Sequence, residues 1–517
     1  MRGLRWTGVA VGSLAAVVAF PGSSPASPAP TTPAPTTPAP TKPAPTTGAS
    51  RPPLLATALL SPSRLPRTLQ ELWARRSLVP ALDRATSAAA LGQAGAQDSC
   101  VVVAQGGQVL FEDHPDLPVL PASNMKLVTA TALLDKLGPG YRFTTSVVAR
   151  HRPVGGVVQG DIWFVGGGDP LLRLPAYAAG IPGGDQVWTD VQKIVTSLKA
   201  TGLRRVTGSV LGDDTRYDSQ RTVASWPARY AEEVDVGQLS ALGIDDGFAL
   251  AGPPVPVSAP PPVQSAGVLT DRLRSAGVKV GGPPGSGRAP AGGRALARLV
   301  SPPLSRILGE VLRESDNTAM ELLTKELGLD ERGTGSTAAG VAAVRADLAA
   351  DGLPVAGLVN VDGSGLSRSD RVTCNLLVAV LRRAGADGLL VHDLPVAAES
   401  GTLAGQLGQT VAAGRVLAKT GTLDGVKALS GWVEPARGQV PGNPALAAPV
   451  VFSAVLNGLA TSVVDPDRLT DRVALDLAEY PRAPALARFE PAEAGGAGAQ
   501  AQGIGAAAAG AEGAGAA

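Results

Sequence analysis

Three short groupings of polar residues could do chemistry together. Ser123 and Lys126 form a Ser-x-x-Lys pair, Ser315 and Asn317 flank Asp316, and Lys419, Thr420, Gly421 and Thr422 run consecutively. A serine hydroxyl is a poor nucleophile until a base takes its proton. Residues three apart on a helix share a face, so the Lys126 amine can reach Ser123 without help from a loop. To act as that base Lys126 must be neutral, well below its ordinary pKa of about 10.4. Burial and a second nearby cation would do this, and Lys419 is the candidate cation. Ser315 can relay a proton toward a leaving group, and Asn317 can hold Lys126 and a substrate amide. Thr420 and Thr422 can hydrogen-bond a substrate carboxylate, with Lys419 supplying positive charge. Singly, each grouping has a plain alternative: Ser123 and Ser315 as helix caps, Lys419 as a solvated strand residue. Jointly they are more specific. Of nine lysines only Lys126 has Ser three places before it, of six asparagines only Asn317 has Ser two places before it, and Lys-Thr-Gly occurs once. The three histidines, His114, His151 and His392, are far apart, and there are two cysteines, so no metal or cofactor site is expected.

The elements that must position these groups can be read from the pattern. Ser123 opens a helical stretch to about Leu137, ended by Gly138 and Pro139, and places the helix's backbone N–H groups and positive dipole end beside the hydroxyl. Ser315 lies between helical patterns at 303–313 and 318–328, and Lys419 ends a strand starting at Val416. Before them come a helix within 66–95 and a hairpin around Gly106-Gly107. After them come helices at 336–350 and 371–384, strands at 427–433 and 450–456, and a last helix at 467–479. Between lies a stretch of different texture: a strand at 162–165 running into Gly166-Gly167-Gly168-Asp169-Pro170, a helix at 186–200, a strand at 206–211, and a Pro- and Gly-rich piece with a short helix near 267–276. The expectation is one α/β (α+β) domain of antiparallel sheet and helices, in two parts (66–150 and 300–483), interrupted by an inserted region at 151–299.

Composition bounds the rest. The chain has 517 residues, with 45 Lys+Arg against 44 Asp+Glu, and no electrostatic case for a nucleic-acid partner follows. Residues 1–27 read as an export signal: Arg2 and Arg5, an apolar run to Phe20, and small residues around Ala26. The alternative is an uncleaved anchor, the only route to a membrane. The repeat PAPTTPAPTTPAPTKPAPTT within 28–65 favours polyproline II, and its twenty residues at ~3.1 Å each would reach roughly 60 Å. It is either a spacer through a cell envelope or a solubilising leader. Residues 484–517 are a low-complexity Ala/Gly tail. Cys100 and Cys374 in an exported chain form a bridge or remain two buried thiols.

The three groupings, in this order, together with PASNMKLVTA, VGGGDPLL, GSVLGDDTRYD, VDGSGLSR and AKTGTLDGVKALSGW, resemble the D-alanyl-D-alanine carboxypeptidase/endopeptidase family, the DacB-like class C low-molecular-mass penicillin-binding proteins. The resemblance covers roughly 97–480. It implies a penicillin-binding, serine β-lactamase-like fold with extra domains between the first two motifs, and the 192 positions from Ser123 to Ser315 leave room for them. It also implies that Ser123 is acylated, that Lys126 is its base, and that Ser315, Asn317 and Lys419 complete the catalytic set. Thr420, Gly421 and Thr422 would bind substrate, and the backbone N–H groups of Ser123 and Thr422 resemble an oxyanion hole. Ser364 and Arg368, Asp169 less securely, and Asp424 resemble positions facing the stem's side chain, against plain roles as a loop ion pair for Arg368 and a turn for Asp169. The implied reaction removes the terminal D-Ala from peptidoglycan stems outside the cytoplasm, extends to D,D-endopeptidase action on cross-links, and is inhibited by β-lactams without any cofactor. The competing readings are a β-lactamase-like hydrolase and a non-catalytic wall-binding protein.

Overall fold

In the computed structural model the described residues are 66–181, 187–249, 255–256, 259–435, 443–460 and 465–481. The expected export signal, the Pro/Thr leader and the Ala/Gly tail lie outside them.

One antiparallel sheet carries the Lys419-Thr420-Gly421-Thr422 run. Its strands in chain order are β1 (Cys100–Gln105), β2 (Gln108–Asp113), β3 (Val416–Leu423), β4 (Val426–Val433) and β5 (Val450–Leu456). Their spatial order is β3-β4-β5-β1-β2, so the first hairpin of the sheet pairs with the last strand, Cys100 opposite Val455 and Gln105 opposite Val450. Strand β1 shows why its sequence, CVVVAQ, is apolar almost throughout. Side chains alternate between faces along a strand, and both faces are covered. Cys100, Val102 and Ala104 join a core with the helices Met125–Lys136, Leu304–Glu314, Asn317–Arg332, Thr337–Ala350 and Cys374–Ala384. Val101 and Val103 join a second core with Arg67–Thr86 and Asp467–Glu479. Cys100 and Cys374 are bridged, with Cα atoms 5.9 Å apart. The bridge ties the start of β1 to the first residue of a helix 274 positions later, which shrinks the unfolded ensemble.

A second five-stranded sheet, drawn from residues 144–300, has the order Gly285–Ser286, Val210–Asp213, Ile162–Val165, Thr144–Ala149, Arg294–Val300. Thr144–Ala149, expected in the catalytic body, is thus paired into this sheet against Arg294–Val300. That long-range pairing leaves no local mark in sequence. The helices Gln192–Ala200 and Pro261–Ser275 cover this sheet with a core of their own that includes Val147, Ile162, Phe164, Leu198, Leu269 and Leu273. The single strand expected at 206–211 is two short ones, Arg205–Val206 and Val210–Asp213, split at Gly208 and lying in different sheets. Among the described residues no helix is long and apolar enough to cross a membrane.

Candidate active site

Ser123 sits on a 3-10 turn, Ala122–Asn124, that runs directly into the helix Met125–Lys136. The turn is tight because Ala122 holds a left-handed φ of 48°. Behind it, Gly365 (φ 86°) lies so close that a Cβ there would be 1.9 Å from the Ala122 carbonyl oxygen. Only glycine allows that approach. The helical spacing then delivers Lys126: its Nζ is 2.9 Å from Ser123 Oγ.

Lys126 is fully buried and has three hydrogen-bond neighbours: Ser123 Oγ, Asn317 Oδ1 at 2.5 Å and the Ser364 carbonyl at 2.9 Å. The Asn317 amide is oriented by its Nδ2, which donates to the Asp235 carbonyl at 2.8 Å. Its oxygen and the Ser364 carbonyl can therefore only accept. A neutral amine has two N–H bonds and one lone pair. With both N–H bonds spoken for, the lone pair has only the Ser123 hydroxyl to face. Burial pushes the Lys126 pKa down to about 8, against the pull of Asp362, Asp316 and Glu321.

Lys419, on β3, is also fully buried. Its Nζ donates to Ser315 Oγ at 2.9 Å and to the Thr420 carbonyl at 3.0 Å. Burial, then the charge of Lys126, push it well below an ordinary lysine. The two amines and two hydroxyls thus share one cleft: Ser123 with Lys126, and Ser315 with Lys419. This set can pass a proton from Ser123 to Lys126 and on to a leaving group through Ser315.

The family model described as D-Ala-D-Ala carboxypeptidase 3 (S13) matches residues 78–252 and 255–479. The chain belongs to this S13 family. It is 33% identical over 468 residues to a D-alanyl-D-alanine carboxypeptidase of Actinomadura sp. (strain R39), covering 75% of this chain and 82% of that one. It is 30% identical over 347 residues to a carboxypeptidase of Mycobacterium tuberculosis, covering 65% and 72%. Among solved structures, penicillin binding protein 4 (dacB) from Haemophilus influenzae shares the fold, with a TM-score of 0.61 and 20% identity over 73% of this chain and 95% of that one.

Around the S13 cleft the remaining expected residues divide. Gly421 is buried against the nucleophile turn, where a Cβ would meet Asn124 Nδ2 at 2.9 Å. Thr420 Oγ1 pairs with Thr402 Oγ1 at 2.7 Å, and Thr422 is exposed, its hydroxyl accepting from Lys427 Nζ at 2.9 Å. Arg368 and Asp424 meet: Arg368 Nη1 donates to the Asp424 carbonyl at 3.1 Å, and Arg229 of the inserted region donates to Asp424 Oδ2 at 2.9 Å.

Ser364 and Asp169 do not face a pocket. Ser364 is wholly buried because residues 362–367 wind around the Asp362 carboxylate, which accepts from the N–H groups of Gly365 and Ser367, both at 2.7 Å. What Ser364 offers the site is its carbonyl, not its hydroxyl. Asp169 is 4% exposed and closes a turn, Oδ1 accepting from Leu171 N at 3.1 Å. Burial raises its carboxyl to about 6. The turn reading of Asp169, open in sequence because Pro170 follows it, is the one that fits.

Sequence reasoning missed Asp235, which lies 82 positions from Asn317 and acts through its carbonyl. It also missed Glu321, whose Oε1 accepts from Gly363 N at 2.9 Å and Ser364 N at 2.8 Å, holding the carbonyl that holds Lys126. A buried glutamate one helical turn after Asn317 was the available signal, but burial is not visible in a single sequence.

Proposed function

We propose that the protein is a serine-type D-Ala-D-Ala carboxypeptidase of peptidoglycan stems, with Ser123 as its nucleophile. Ser123 Oγ attacks the carbonyl carbon between the last two D-alanines while its proton passes to Lys126 Nζ. The oxyanion faces the backbone N–H groups of Ser123 and Thr422. As the peptide bond breaks, Ser315 hands its proton to the departing D-alanine nitrogen and regains one from Lys126, which returns to the neutral amine, and the stem stays esterified to Ser123. Water then attacks this ester, with the same amine taking its proton and returning it to Ser123 Oγ as the shortened stem leaves. Lys419, with the Thr420 and Thr422 hydroxyls across Gly421, binds the terminal carboxylate. Arg368 and Asp424, which are bonded to each other, are assigned to the stem's side chain. The same acyl step serves a D,D-endopeptidase cut in a cross-link. β-Lactams, which present a strained amide beside a carboxylate, acylate the same serine. The substrate lies outside the cytoplasm, in keeping with residues 1–27 as an export signal.

The observation that carries this reading is the Lys126 amine, buried, with two obligate acceptors on its N–H bonds and Ser123 Oγ at 2.9 Å on its remaining side. Labelling with a fluorescent penicillin, followed by D-alanine release from a pentapeptide stem, tests it. Wild type is expected to label durably and release D-alanine, and Ser123→Ala to do neither. Equal labelling of both removes the nucleophile assignment. Rapid loss of the penicilloyl adduct favours a β-lactamase instead, and absence of labelling in wild type a wall-binding protein.

A further inference from the structure

The joint between the helices Leu304–Glu314 and Asn317–Arg332 is only two residues long, and Ser315 is one of them. Ser315 holds a left-handed backbone, φ 60° and ψ 33°, which a residue with a Cβ adopts only when its surroundings enforce it. Asp316 is the N-cap of the second helix: its Oδ1 accepts from Ala319 N at 2.8 Å. Its other oxygen, Oδ2, accepts from Arg173 Nη2 at 3.0 Å. Arg173 belongs to the inserted region, on the short strand Leu172–Arg173, and is 3% exposed.

Arg173 reaches both sides of the joint. Nη1 lies 3.6 Å from Glu310 Oε1 on the helix before Ser315, and Nη2 meets Asp316 after it. The arginine is itself fixed. Nη2 also lies 3.3 Å from Asp246 Oδ2, which accepts from Tyr177 OH at 2.8 Å, and the guanidinium sits over the Tyr177 ring, 5.8 Å from its centroid. The next residue, Leu174, donates its N–H to Asp245 Oδ1 at 2.8 Å. The two residues after Asp316 are gripped from the same side: Asn317 Nδ2 by the Asp235 carbonyl at 2.8 Å, and Thr318 Oγ1 by Gly237 N at 2.8 Å. Three consecutive residues, 316 to 318, therefore each take a bond from the inserted region.

We propose that Arg173 is a positioning residue for acylation, clamping the Ser315–Asp316–Asn317 joint so that Ser315 meets Lys419 and Asn317 meets Lys126. The inserted region is on this view part of the catalytic apparatus: among the ion pairs of the described residues, Arg173 is the cation on which three carboxylates, buried Glu310 and the largely covered Asp316 and Asp246, converge. Guanidinium geometry suits this, because one planar group can meet partners on two elements at once. The inference rests on the proposed roles of Ser315 and Asn317.

The test measures two quantities for each full-length variant with a fluorescent penicillin: the fraction of molecules that can be titrated, and the acylation rate constant per titrated molecule. A structural role lowers the fraction; a positioning role lowers the rate. Arg173→Met is expected to acylate at least twentyfold more slowly per titrated site, and Arg173→Lys to recover to within about fivefold of wild type. Asp316→Asn, which keeps the helix cap but removes the charge, is expected to slow acylation at least fivefold. Combining it with Arg173→Met should add less than a further twofold, since both break one link. A per-site rate for Arg173→Met within twofold of wild type overturns the proposal. Should Arg173→Met not fold, Arg173→Lys and Asp316→Asn decide it: rates for both within twofold of wild type overturn it, and slowed rates for both support it. Ser315→Ala separates the two levels of the argument. If it acylates normally, the reading of the site itself fails. If it is slow while Arg173 variants are normal, only the clamp fails.

Discussion

Two places among the described residues leave a lysine at most 1% exposed, and they surround it with opposite kinds of partner. In the cleft, Lys126 and Lys419 are wholly buried among neutral acceptors: serine hydroxyls, an asparagine oxygen and backbone carbonyls. Where the inserted region meets the helix Asn317–Arg332, Lys325 is equally buried, at 1% exposure, but its Nζ is paired with the Asp218 carboxylate and bonded to the Gln220 carbonyl. The next residue of that helix, Glu326, accepts from Arg216, Tyr141 and Tyr217. A buried ammonium with no carboxylate in contact gives up its proton cheaply, which is the direction both cleft lysines take. On the proposed reading the cleft serves proton traffic and the interface docking, from the same side-chain type.

Removing the cleft amine should have the largest effect. Lys126→Met is expected to slow penicillin acylation by at least a thousandfold, in the range usual for loss of a general base, while circular dichroism shows the fold intact. Acylation within tenfold of wild type would mean that another group takes the proton, and the contrast drawn above would collapse. Lys325→Met should do the reverse. It is expected to lower unfolding free energy by about 1–3 kcal/mol in urea titrations, because Asp218 loses its partner but keeps some solvent. The acylation rate per titrated site should stay within threefold. A large rate loss at full titration would show that the interface also serves the chemistry through Lys325.

The smallest effect sharpens the comparison through pH. With its pKa near 8, roughly a tenth of Lys126 is neutral at pH 7, against well under a thousandth for an ordinary lysine. Acylation should therefore rise about tenfold per pH unit below 8 and level off above it, and the Lys325→Met limb should overlay that of wild type. The sign for stability follows from the same shift. Because the folded pKa lies below the unfolded value, the unfolded chain holds the extra proton between about 8 and 10.5, so this group's contribution to stability improves as pH rises through that window. A flat rate profile from pH 6 to 9 would remove Lys126 as the titrating base.

Much of the frame was legible because it rests on local periodicity. The hairpin at Gly106-Gly107, the helices flanking Ser315 and the three late strands all follow from side-chain spacing and from Gly and Pro punctuation. The Ser123–Lys126 contact was legible for the same reason, since i and i+3 on a helix need no tertiary information. The inward turn of Ser364 was not, because it depends on the Asp362 carboxylate gathering the loop around itself. Nor was the pairing of Cys100 with Cys374, which spacing left open and the packing of β1 against a distant helix closed.

The sequence by itself determined which groups could react and which neighbour each nucleophile would have, because helix and strand geometry are set over three or four residues. Tertiary structure alone decided that two lysines lose their solvent, that the Asn317 amide points its oxygen at Lys126, and that Arg173 and Asp235 reach the joint at Ser315 from distant parts of the chain. Those outcomes depend on desolvation and on contacts across 82 to 191 positions of chain, and neither leaves a periodic trace.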